Sequence, residues 1–136
     1  MRNEALVKDY LDRAAARLQA IEVLHRAHSY ADVVREAQEV VELTLKALLR
    51  SAQIDVPHIH DVSPILKDNL DRLPPEIRAD VDELSRVSRA LRRDRELAFY
   101  GSEDLTPLEF YQAEDGAEAM RAAKWVVERV REVCLR

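Results

Sequence analysis

Residues 30–52, Y-A-D-V-V-R-E-A-Q-E-V-V-E-L-T-L-K-A-L-L-R-S-A, form the most apolar helical run of the chain. Val33, Val34, Ala37, Val41, Leu45 and Leu48 recur at three- and four-residue spacing, and Val40, Leu43 and Ala47 widen the face they make. A stripe that broad needs neighbours on more than one side, so it predicts a helix at the centre of a bundle. Its main charges are Glu39, Glu42 and Lys46. Glu42 and Lys46 stand four apart in the favourable order, worth about 0.2–0.5 kcal/mol. Ser29 or Tyr30 opens this helix, with Asp32 in its first turn, where a carboxylate suits the positive end of the macrodipole.

Working outward, Leu6, Tyr10, Ala14, Leu18 and Ile21 recur at helical spacing and predict a first helix to about residue 24, capped by Asn3. His25-Arg26-Ala27-His28 leads into a short connection. Residues 53–60 read as a loop shaped by Pro57. Asp61 or Ser63 then caps a short third helix to about Leu70, with Pro64 early in its first turn. Pro74-Pro75 ends that element and starts a fourth helix over about 75–99. Gly101 suits the left-handed position after it. A final helix over about 112–135 has Ala117, Met120, Ala123, Val127, Val130 and Cys134 on its stripe. The pattern predicts one all-α domain over 1–136, an up-and-down four-helix bundle with an additional short helix.

The bulk composition agrees. A chain of 136 residues with 2 glycines and 5 prolines favours long helices over a turn-rich sheet. The net charge of −5 argues against general coating of nucleic acid, although a local basic ridge remains able to bind an anion. One cysteine, Cys134, excludes an intrachain disulfide, and with a charged N-terminus and no long apolar run it points to a cytoplasmic protein without a membrane span.

Against that acidic background, residues 86–101, R-V-S-R-A-L-R-R-D-R-E-L-A-F-Y-G, place five arginines within ten positions. Wound as a helix, Leu84, Val87, Leu91 and Ala98 form an apolar stripe with Arg95 near its middle. Arg86, Arg89 and Arg93 form a basic ridge opposite, which Tyr100 joins if the helix runs that far. A guanidinium on an apolar stripe is costly unless it is paired or reaches a cleft. The ordinary alternative is a solvated ridge balanced by Asp82 and Glu96, with Arg95 paired to Glu39 or Glu42 across the bundle.

Other chemistry is weakly signalled. His58, His60 and Asp61 lack the compact further ligands of a zinc site, so no metal and no cofactor is expected. Glu39, Glu42 and Asp32 do not form a di-metal pattern, Cys134 reads as core, and no serine stands in a nucleophile elbow.

Three segments together resemble the HEPN domain family: 30–50, P-H-I-H-D-V-S-P-I-L (57–66) and R-R-D-R-E-L-A-F-Y-G (92–101), with 106–123 continuing the likeness. The resemblance implies a bundle of four long helices and a short one, commonly a homodimer, and kinship with proteins encoded beside minimal nucleotidyltransferases. Many HEPN proteins are metal-independent ribonucleases, several of them toxins, whose motif is an arginine with a histidine four to six residues on. Arg95 matches the arginine, but Tyr100, Gly101 and Ser102 occupy the window after it, and no histidine follows Arg92 or Arg93 at that distance either. Metal-free RNA cleavage needs a base for the 2′-hydroxyl and an acid for the leaving oxygen, roles that suit imidazole. Tyrosine, with a pKa near 10, is a poor base.

The expected function is therefore a HEPN module of a toxin–antitoxin-like system that binds a nucleotide, RNA or a nucleotidyltransferase partner through Arg89, Arg92, Arg93, Arg95 and Tyr100. Arg95 and Tyr100 are also the candidates for any catalytic role. Two alternatives stand beside it: an active ribonuclease toxin using His58 or His60 as base, and a purely structural dimerising bundle. On an ideal helix Arg95 and Tyr100 point about 140° apart. The expected site is accordingly a cleft near the axis of a homodimer, lined by both residues from both chains, with Arg92 at its rim.

Overall fold

The long apolar run becomes the hub of the molecule. The computed structural model describes the backbone of residues 2–100, 106 and 110–135, and the side chains of 3–92, 106 and 110–135. Its helices are α1 (Arg2–Arg26), α2 (Tyr30–Ser51), α3 (Ser63–Asp68), α4 (Pro75–Arg78), α5 (Val81–Tyr100) and α6 (Ala113–Cys134), with a 3₁₀ turn at Leu70–Arg72 between α3 and α4. No strand occurs among the described residues. Helix α2 packs against α1, α5 and α6, and α6 also meets α1, whereas α5 and α6 scarcely touch. Val33, Ala37, Val40, Val41, Leu45, Ala47, Leu48 and Leu49 are all buried, so most of the wide face is consumed, with Leu43 half-buried at its edge.

Contacts between helix ends give the directions. Asn3 at the start of α1 donates from Nδ2 to the Arg50 carbonyl at the end of α2, 2.6 Å away. Cys134 at the end of α6 meets Ser51, and Gly116 near its start lies against Tyr30. Arg129, late in α6, bonds Asp80 just before α5. The four long helices thus run up, down, up and down, and the short α3 rests on α5.

Three expectations need correction. Asn3 does not cap α1, which begins at Arg2; its amide instead satisfies an orphan carbonyl at the C-terminus of α2. The third helix stops at Asp68 and the chain tightens into the 3₁₀ turn. The fourth helix is not continuous from Pro75: it breaks at Ala79–Asp80, where Arg129 takes the Glu76 carbonyl (2.6 Å) and the Asp80 carboxylate (2.6 Å) that a straight helix would have left to itself or to water. The start of α6 is as its sequence suggests and is secured by a capping box between Gln112 and Asp115. The position proposed for Gly101 lies outside the described residues.

Gly116 marks the tightest helix contact. A Cβ there would stand 2.8 Å from Tyr30 Cδ1 and 3.2 Å from His25 Cδ2. These rings pack edge to face with centroids 5.3 Å apart, so neither yields freely. Gly116→Ala gains at most about 1 kcal/mol of helix propensity, less in a first turn, against about 1–3 kcal/mol for forcing the rings aside. The expected result is a net loss near 1 kcal/mol, read as a lower denaturation midpoint; an unchanged or raised midpoint would mean that the Tyr30 packing is loose.

Candidate functional site

Helix α5 displays the two faces its sequence predicts, as far as its side chains are described. Leu84, Val87 and Leu91 are buried, Arg86 and Arg89 are exposed, and Arg92 is half-buried. Arg86 is already committed: its guanidinium forks onto Glu83 one turn back, with Nη2 2.6 Å from Oε1. Arg93, Arg95 and Tyr100 lie on the helical backbone of α5, which does run to Tyr100, but their side chains lie outside the described residues, and with them the expected cleft lined by Arg95 and Tyr100.

The proline loop is tied directly to this helix. Asp61 Oδ1 accepts hydrogen bonds from Ser63 N (3.0 Å), Ser63 Oγ (2.7 Å) and Ser88 Oγ (2.8 Å). The N-cap of α3 is Val62, without a side-chain cap bond, so neither Asp61 nor Ser63 caps the helix as expected; Asp61 instead ties Ser63, its first residue, to Ser88 on α5. Burial alone would raise the Asp61 carboxyl, but the donors from Ser63 and Ser88 and the charge of Arg89 outweigh it and hold the group below the usual carboxylate range. Arg89 acts on Asp61 through its charge, with no ion pair between the two among the described residues. Arg92, half-buried beside the ridge, has no carboxylate partner among the described residues.

The neighbouring residue turns elsewhere. His60 Nδ1 lies 2.8 Å from Glu42 Oε1 on α2. An ionised carboxylate only accepts, so Nδ1 donates the proton of this bond. Glu42 also receives Gln38 Nε2 (3.1 Å) and Lys46 Nζ (3.0 Å), which realises the Glu42–Lys46 spacing. Its burial opposes ionisation, and the bonds from His60, Gln38 and Lys46 reverse that, so its pKa is lowered. Glu39 is engaged as well, with Arg17 Nη1 at 2.8 Å. Both carboxylates considered as internal partners for Arg95 thus have other cations beside them.

The remaining candidates are placed plainly. His58 is exposed in the loop. Cys134 is half-buried, its thiol pushed up by burial against a weaker opposing bond from Ser51, which disfavours the thiolate a nucleophile needs. No three His, Cys, Asp or Glu side chains among the described residues converge as metal ligands. No helix among the described residues is long and apolar enough to cross a membrane. Sequence reading missed the Asp61–Ser88 tie and the Glu42–His60 pair; its only signal for either was the adjacent His60-Asp61 after a proline. Compared with known proteins, residues 7–133 match the model of the HEPN domain. No curated protein and no solved structure matches the chain.

Proposed function

The chain belongs to the HEPN domain family, and we propose that within it this protein is a non-hydrolytic module that binds RNA or a nucleotide along α5. It acts as a homodimer and as the partner of a minimal nucleotidyltransferase in a toxin–antitoxin-like system. One observation carries the reading: the arginine-bearing helix continues through Tyr100 while the Asp61–Ser88 bond braces it against the loop. Beyond that brace the helix carries further arginines, Arg92 and then Arg93 and Arg95 in its C-terminal half. Arginine forks suit phosphate oxygens, and a tyrosine at the end of the row suits stacking on a base.

Titration of a fluorescent single-stranded RNA tests this. Wild type is expected to bind with a salt slope of several counterions, and Arg92→Ala to weaken binding and flatten the slope by about one. Arg95→Ala should weaken it too without unfolding the protein. Equal affinity and slope in wild type and both variants would remove the site from α5.

A second reading is favoured by a specific geometry. The Glu42–His60 pair orients an imidazole as a base would be oriented, which suits metal-independent ribonuclease activity. RNA cleavage in metal-free buffer that disappears in His60→Ala would establish it and displace the first reading.

A further inference from the structure

A second polar cleft, separate from the α5 ridge, opens between α1 and α2. It encloses about 330 Å³. Tyr10, Arg13 and Arg17 are spaced three and four apart on α1, and Glu39, Glu42 and Lys46 are spaced likewise on α2, so two antiparallel ridges face each other across it. His60 also lines it. Asp61, the next residue, belongs to α5 through Ser88, so the loop divides this cleft from the arginine ridge.

The charges here are more elaborate than packing requires. Arg17 reaches both Glu36 and Glu39, at 3.1 and 2.8 Å. Glu42 and Lys46 keep only 19% and 17% of their side-chain surface exposed, which makes theirs a desolvated pair on the wall of an open cavity. Gln38, which supports Glu42, is 2% exposed and leaves its Oε1 without a partner. Arg13 is held least firmly, with half its side chain exposed and, among the described residues, Asp9 at 3.6 Å as its carboxylate. Three cations, two carboxylates, an imidazole and a phenol therefore line one space. Arg17 and Lys46 are already paired with Glu39 and Glu42, so a bare anion would compete with those carboxylates and a bare cation with Arg17 and Lys46. A ligand joining a phosphate to several hydroxyl donors satisfies both.

We propose that this α1–α2 cleft is a binding site for a phosphorylated ribose. Arg13 and Lys46 take the phosphate, Glu39 and Glu42 accept from the sugar hydroxyls, and Tyr10 and Leu43 pack on the carbon skeleton. The volume lies at the small end of the ligand-pocket range of about 300–1,000 Å³ and suits a monosaccharide phosphate. The same group occurs free and at the 5′ end of a nucleotide. The inference does not rest on RNA binding by α5.

Calorimetric titration of the full chain with ribose 5-phosphate, AMP, ribose and inorganic phosphate tests it. Ribose 5-phosphate should bind saturably, with ribose and phosphate each at least about tenfold weaker, the worth of one lost charged hydrogen bond. Arg13→Ala, which stands outside the internal network, should weaken ribose 5-phosphate about tenfold with an unchanged melting temperature. Arg92→Ala should leave it unaltered, which separates this site from the α5 ridge. AMP binding much tighter than the sugar phosphate assigns the nucleotide as source; equal or weaker binding assigns the free sugar phosphate. No saturable binding, equal binding by inorganic phosphate, or loss in Arg92→Ala with retention in Arg13→Ala would overturn the proposal.

Discussion

Leu45→Ala is expected to cost the fold about 2–5 kcal/mol, a large part of the 5–15 kcal/mol that holds an ordinary domain together. Leu45 is fully buried on α2, the helix against which α1, α5 and α6 all pack. Its removal leaves a cavity that no single neighbour can fill without leaving another contact, so relaxation is limited. Val23, 55% exposed on α1, supplies the control: Val23→Ala should change stability by less than about 0.5 kcal/mol. Denaturant unfolding of both variants measures this. Similar small losses at the two positions would mean that α2 is not the centre of the bundle.

The second large effect belongs to Asp61. Asp61→Ala removes the acceptor for three hydrogen bonds at once and strands donors on Ser63 and Ser88, which are buried. Orphaned buried donors cost about 1–3 kcal/mol each, with partial relaxation at the half-exposed loop, so the expected total is about 2–4 kcal/mol. The pH dependence follows from the same carboxyl. Its folded-state pKa is depressed, so its contribution is fully present above the ordinary carboxylate value of about 4 and is lost as pH falls through the folded value. Glu42, lowered for the reason given above, adds to the same acid limb. Wild-type stability should therefore decline below pH 4, and Asp61→Ala should decline less steeply from a lower plateau. A variant with the wild-type slope would mean that Asp61 is not the group being titrated.

What could be read in advance follows from the range of the interactions. Helix α2 was legible because its nine apolar positions repeat within one local pattern, and α6 because its apolar stripe does the same. The break at Ala79–Asp80 was not, since the side chain bonded across it, Arg129, lies some fifty residues away. Asn3 looked like a cap because it stands at the right distance before an apolar stripe, yet its amide answers a carbonyl on another helix. The turns after α1 and α2 use His28 and Gln53 at positive φ, where glycine would have announced them. The arginine ridge was visible as periodicity, but the commitment of Arg86 to Glu83 is a matter of rotamer, and the effect of the Arg89 charge on Asp61 is a matter of the tertiary fold. The α1–α2 cleft had no signal at all, because Tyr10, Arg13 and Lys46 look individually like ordinary surface residues.

The most direct test of the central claim incubates the pure protein with a labelled single-stranded RNA in metal-free buffer and follows anisotropy and strand length in the same sample. The account predicts salt-sensitive binding of RNA that stays intact, weakened in Arg92→Ala and Arg95→Ala while both remain folded. Cleavage that vanishes in Arg95→Ala or His60→Ala, or anisotropy that never rises above that of free RNA, would contradict it.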